Sequence, residues 1–186
     1  MILIHKKIFK YLLAVSLFGI LVAGLIFVFS RTKFLLIIRH YQYMHRTHKP
    51  IMLPIEASQI SAPLYDTFEA ARPNGRLHLG IDFFAHRGTP VRSASAGYIV
   101  ARGTDPLGGN YIQILGLDNR LYYYAHLESF EKKLKLDDRA AQGMIIGYVG
   151  NSGNAMLTTS HLHFEIKEID WVAPLITHYI NPFFLF

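Results

Sequence analysis

His161-Leu162-His163-Phe164-Glu165-Ile166 alternates an imidazole or carboxylate with an apolar side chain at every step. Successive side chains of an extended chain point to opposite faces, so His161, His163 and Glu165 share one face and Leu162, Phe164 and Ile166 share the other. The pattern predicts a β-strand with its apolar face in a core. Two further stretches read the same way. In His78-Leu79-Gly80-Ile81-Asp82, the residues Leu77, Leu79, Ile81 and Phe83 fall on one side, and His78, Gly80 and Asp82 on the other. The small Gly80 leaves room between His78 and Asp82. In Tyr124-Ala125-His126-Leu127, strict alternation places Tyr122, Tyr124 and His126 on one face and Leu121, Tyr123, Ala125 and Leu127 on the core face.

Four histidines and an aspartate on three strands supply imidazole nitrogens and a carboxylate oxygen. These are the ligand types of a catalytic zinc, which usually takes three protein ligands and keeps one position for water. Two histidines, one aspartate and a water satisfy it. His78, Asp82, His126, His161 and His163 are five candidates for three positions. The two histidines left over are placed to move protons or to stabilise charge on a substrate oxygen. A lone histidine on a strand is usually a hydrogen-bonded surface residue, but three matched stretches outweigh that reading. His5, His40, His45, His48, His86 and His178 have no such context, and His45 and His48 sit in a basic segment after an apolar run.

At 186 residues the chain can hold one domain with a substantial core and a smaller appendage. From Tyr11 to Phe29 no residue is charged, and at about 1.5 Å per residue this run makes a helix of roughly 28 Å, enough to cross a bilayer. It ends in Ser30-Arg31-Thr32-Lys33, a poor signal-peptidase site, so it reads as a retained anchor. Residues 1–10 are a short basic N-terminus, 11–30 the transmembrane anchor, 31–75 a juxtamembrane linker and lead-in, and 76–186 the catalytic domain. Basic residues flank the run on both sides, so charge does not orient it. The chain lacks cysteine, which excludes thiolate metal sites, disulfides and thiol nucleophiles. Its net charge of +6 is concentrated near the anchor: residues 51–186 carry eleven Lys or Arg against thirteen Asp or Glu. That distribution favours lipid headgroups and argues against nucleic acid.

Pro50, Pro54, Pro63 and Pro73 keep residues 49–76 from forming a long helix. From Leu77 onward, short apolar or alternating runs are divided by glycine and Asp-Asn turns, the pattern of a mainly β, antiparallel domain. Tyr98–Ala101 with Tyr111–Leu115, and Ile112–Leu115 with Leu121–Ala125, are expected to form a meander. The glycine-rich turns 108–110 and 150–153 match no nucleotide-binding motif.

From about Arg76 to Lys167 the chain resembles the lysostaphin and LytM type of zinc metallopeptidase. The matching text is His78-Leu79-Gly80-Ile81-Asp82, Gly88-Thr89-Pro90-Val91, Gly109-Asn110-Tyr111, Tyr124-Ala125-His126-Leu127, Gly147-Tyr148-Val149-Gly150 and His161-Leu162-His163-Phe164-Glu165, with an echo at Asn181-Pro182. The resemblance implies an antiparallel β-sheet groove or sandwich. It implies that His78, Asp82 and His163 bind Zn2+, and that His126 and His161 act on the reacting peptide. It also implies hydrolysis of peptide cross-links or bridges in bacterial peptidoglycan. Ser160 and Thr159 stand where Pro and Gly are common, and Asp118-Asn119 where His-Gly is usual; these departures touch loops and no ligand. With the anchor, the expectation is a single-pass protein of the cytoplasmic membrane whose catalytic domain faces the periplasmic or extracellular side. A non-catalytic wall-binding or hydrolase-activating relative is the alternative, and such relatives typically lose metal ligands. The scissile bond, the oligomeric state and any inhibitory role for residues 50–73 are left open by the sequence.

Overall fold

The structure, a computed structural model, describes residues 18–22, 24, 50–72, 75–169 and 177–186. The expected anchor at 11–30 lies almost entirely outside them. Residues 18–22 and 24 are α-helical, and among the described residues no helix is long and apolar enough to cross a membrane.

The mainly antiparallel β reading holds. Among the described residues, nine strands form one sheet: β1 (Ile81–Phe84), β2 (Pro90–Arg92), β3 (Gly97–Asp105), β4 (Gly109–Gly116), β5 (Arg120–Phe130), β6 (Arg139–Ala140), β7 (Ile145–Val149), β8 (His161–Ile169) and β9 (Thr177–Ile180). The order along the main path is β1-β8-β5-β4-β3-β6; β7 joins β5 and β2, and β9 joins β8. The β3–β4–β5 meander has the expected partners, Tyr98 opposite Leu115 and Leu115 opposite Leu121. The core holds Phe83, Phe164, Ile112, Ile114, Ile146, Leu162 and Ile166, all fully buried, and the alternation of β8 places Leu162, Phe164 and Ile166 there as predicted.

Two readings of the strands need correction. β1 starts only at Ile81, so Leu77 is exposed and Leu79 faces the cleft, and neither enters the core. Gly80 is small for a different reason from the one expected: a Cβ there would collide with the carbonyl oxygen of Phe164 on β8. In β5 the aromatic assignment is reversed. Tyr122 and Tyr124 are 0% exposed, and their hydroxyls are satisfied by Asp118 Oδ2 at 2.6 Å and the Ala94 amide at 2.8 Å. Tyr123 lines the cleft instead.

The physical cause is a β-bulge. Between Tyr124 and Leu127, β5 spends three residue steps where β4 spends two, from Ile112 to Asn110, and His126 takes a left-handed φ of 60°. The extra residue swaps the faces, so His126 emerges on the side of Tyr123.

The compact unit begins at His48, so from Pro50 on the segment read as linker belongs to the domain. It contributes Ile51 and Ile55 to the core. Its path is pinned by Ser61 N donating to Phe84 O at 2.9 Å, by Asn181 Nδ2 donating to Asp66 at 3.0 and 3.1 Å, and by an antiparallel bridge between Ala71 and Leu77. Of the sequence departures, Ser160 ties β1 to β8 through its hydroxyl, which donates to Ala85 O at 2.7 Å. Asp118 anchors Tyr122.

Candidate metal centre and catalytic cleft

β1 and β8 are neighbours, with Asp82 directly opposite His163. His78 reaches the same point from the turn before β1. Its Nε2 is 3.0 Å from Asp82 Oδ1 and 2.9 Å from His163 Nδ1, and His163 Nδ1 is 2.8 Å from Asp82 Oδ1. Among the described residues, His78, Asp82 and His163 form the group able to hold a metal ion.

The outer atoms of both imidazoles fix what the inner atoms offer. His78 Nδ1 lies 2.9 Å from the carbonyl oxygen of Thr67, which can only accept, so Nδ1 carries the proton. His163 Nε2 lies 3.0 Å from Glu165 Oε1 and is a donor for the same reason. In the neutral rings, His78 Nε2 and His163 Nδ1 are then lone pairs, and both face a carboxylate oxygen. Three electron-rich atoms at hydrogen-bond distance call for a cation, and carbonyl- and carboxylate-backed imidazoles are the usual surroundings of a metal. The donor set therefore fits zinc.

The electrostatics agree. Burial opposes charge on His163, but the carboxylates of Asp82 and Glu165 outweigh it and raise the imidazole to about 9. Burial would raise the Asp82 carboxyl, yet hydrogen bonds from His163 and His78 hold it far below the usual carboxylate range. In both cases the group waits for a positive charge. Asp82 Oδ2, pointing away from the histidines, accepts from Arg72 Nη2 at 2.6 Å. Arg72 and Thr67 both come from the lead-in, which thus orients two of the three candidate ligands without itself offering a side-chain ligand. Nothing in the sequence pattern marked them: Arg72 lies ten residues before its partner, and Thr67 acts through its backbone.

His126 and His161 stand beside this group, with ring centroids 4.9 Å apart and His126 5.9 Å from His163. Both are almost completely buried. Each ring is held through Nδ1, by Ser152 O at 2.9 Å for His126 and by Thr159 O at 2.8 Å for His161. Each neutral ring therefore keeps Nε2 as its free acceptor. Burial, then the neighbouring His161 and His163, push the His126 imidazole down to about 4. Ser152 is in place because the 150–154 loop packs on the β3–β4 turn without a side chain between them. Gly109 and Gly153 have φ of 61° and 68°, and a Cβ on either would run into the other loop.

All five candidate residues line one open cleft of about 1190 Å³. Its floor includes Tyr111, Gln113, Tyr123, Glu165 and Lys167, and its rim Arg72, Arg76 and Leu107. His86 and His178 are exposed and outside it, and His5, His40, His45 and His48 lie outside the described residues.

Among known families, the model for peptidase family M23 matches residues 76–181. The L-Ala–D-Glu endopeptidase of Bacillus subtilis is 37% identical over 98 residues, which make up 50% of this chain and 30% of that protein. The glycyl-glycine endopeptidase ALE-1 of Staphylococcus capitis is 44% identical over 94 residues, 50% of this chain and 25% of that protein. The chain thus spans less than a third of the length of these curated relatives. Among solved structures, the catalytic domain of the antimicrobial peptidase lysostaphin from Staphylococcus simulans aligns with a TM-score of 0.53 and 32% identity, covering 63% of this chain and 86% of that one.

Proposed function

The chain belongs to peptidase family M23, of the lysostaphin and LytM type, and on that footing we propose that it is a zinc metalloendopeptidase that cuts peptide cross-links or bridges of peptidoglycan. The observation that carries this reading is the convergence of His78 Nε2, Asp82 Oδ1 and His163 Nδ1 within 3.0 Å of one another on a cleft floor, with His126 and His161 alongside. His78, Asp82 and His163 would hold the ion, and Thr67 O, Glu165 and Arg72 hold these three side chains in place. An ion held there would supply a polarised scissile carbonyl and a water whose pKa is lowered to about 7.

This chain's residues do the rest. The cleft takes the peptide in an extended form, lying over Tyr123 and Tyr111 of its floor. Of the pair His126 and His161, one Nε2 accepts the proton of the attacking water and returns it to the departing amine. The other, its Nε2 protonated from solvent, donates a hydrogen bond to the oxygen of the tetrahedral carbon. Residues 11–30 anchor the protein in the cytoplasmic membrane, with the domain on the periplasmic or extracellular side, where its polymer lies.

The test is a digest of cross-linked peptidoglycan by the purified, zinc-loaded protein, with released fragments identified by mass spectrometry. New amino and carboxyl termini at one bond are expected. Bound zinc with no new termini from any wall type would turn the reading towards a wall-binding protein without hydrolysis. A second expectation concerns the support of His163. Glu165→Ala removes the acceptor for its Nε2–H and should weaken zinc binding by about 10–100-fold, measured against a competing chromophoric chelator; an unchanged affinity would show that Glu165 serves only Lys167.

A further inference from the structure

We propose that the cleft is built for a peptide carrying a carboxylate next to the scissile bond, with Arg76 as the partner of that carboxylate; the inference rests on the peptidase reading above. Three cations line the cleft. Lys167 is committed, its Nζ 3.5 Å from Glu165 Oε2 and 4.7 Å from the centre of the Tyr179 ring. Arg72 spends one nitrogen on Asp82. Arg76 is exposed and, among the described residues, has no side-chain hydrogen bond or ion pair.

The acids of the cleft are all consumed. Asp82 serves His78, His163 and Arg72. Asp105 Oδ1 accepts from the amides of Leu107 and Gly108 at 2.8 and 2.7 Å. Glu165 serves His163 and Lys167. Arg76 is therefore the cleft cation whose counter-charge has to come from outside.

Its position is fixed relative to the chemistry. Arg72 N donates to Arg76 O at 2.8 Å, and Leu77 bridges Ala71, so the Arg76 backbone is pinned on both sides. It stands two residues before the candidate ligand His78, about 7 Å along an extended chain. A guanidinium fork there reaches a substrate group within one or two residues of the bond being cut, and its planar N–H pairs match a carboxylate. Arg72, anchored by Asp82, keeps further N–H donors free at the same rim and is 41% exposed. A glycine-only bridge has nothing to offer these groups. The carboxylate can be that of a glutamyl or diamino-acid residue, or the terminal carboxylate of the peptide.

The experiment measures kcat/KM of the full-length protein on synthetic stem peptides in four versions, with the internal and the terminal carboxylate each free or converted to carboxamide, and on pentaglycine amide. A preference of about tenfold for a free carboxylate over its carboxamide is expected, expressed in KM and shrinking with added salt. The version that shows it names the source. In Arg76→Glu the acid-to-amide ratio should fall to one or below. Equal rates on acid and amide, a ratio untouched in Arg76→Glu, or pentaglycine as the best substrate would overturn the proposal. If no peptide is cut, the peptidase reading fails, and calorimetric binding of the same peptides still decides this one. Tighter binding of the acid that disappears in Arg76→Glu sustains the cation site, and equal binding removes it.

Discussion

His163→Ala is expected to empty the metal site and abolish hydrolysis while leaving the sheet intact. His163 is the hub of the group: its Nδ1 meets Asp82 and His78, and its Nε2 meets Glu165. Loss of an outer partner of a ligand typically costs 10–100-fold in metal affinity or activity, so loss of the ligand itself should exceed about 100-fold. Two donors remain, His78 and Asp82, and Asp82 keeps Arg72 as counter-ion. With two donors and an arginine in contact, the site should hold no zinc at micromolar metal. The fold should survive, because the apolar face of β8, Leu162, Phe164 and Ile166, is untouched. Elemental analysis for zinc and circular dichroism, beside the peptidoglycan digest, read the three parts separately. A folded variant that carries one zinc per chain and still releases fragments would remove His163 from the ligand set.

The parts of this site that were legible in the sequence are those in which alternation and structure agree. β8 is regular from His161 to Ile169, so its period-two pattern placed His161, His163 and Glu165 on the cleft side and Leu162, Phe164 and Ile166 in the core without error. β5 defeated the same logic. A bulge leaves no mark on a run of aromatic and apolar residues, since Tyr122, Tyr123 and Tyr124 suit either face equally well. The reading therefore put His126 with Tyr122 and Tyr124, whereas the extra residue beside His126 puts it with Tyr123. The lead-in was illegible for another reason. Prolines announced that residues 49–76 would form no long helix, but an irregular segment carries no period from which burial can be read, so the core positions of Ile51 and Ile55 were invisible. Thr67 and Arg72 act across 11 and 10 residues through a carbonyl oxygen and a flexible side chain. Such contacts follow from the fold rather than from spacing. That they back His78 and Asp82 also changes the meaning of residues 50–72: the lead-in supports the site from behind and supplies no side-chain ligand to block it.

His126→Ala and His161→Ala should each remove turnover with the zinc content unchanged, which separates them from His163→Ala. Neither ring contributes an atom to the His78–Asp82–His163 triangle, so the metal has no reason to leave. Each is locked through Nδ1 on a loop carbonyl, which sets Nε2 as the working atom. Proton transfer by a positioned side chain is worth about 10²–10⁴-fold, and each single substitution should reduce kcat by that order. The two should not add. Their rings are 4.9 Å apart and face the same reacting centre, so once one is gone the other acts on a misassembled transition state, as happens when catalytic residues function as a unit. The double variant is expected to be little slower than the slower single one. Multiplicative losses would mean that the two rings work on separate steps, and a variant that kept its rate would be struck from the catalytic pair. The bulge sharpens the prediction for His126. Its left-handed backbone is strain that a non-glycine residue carries only when the surrounding structure enforces it, so His126→Gly should fold at least as stably as wild type while failing to turn over. Stability that rises as catalysis falls would identify the bulge as a conformation kept to aim an imidazole.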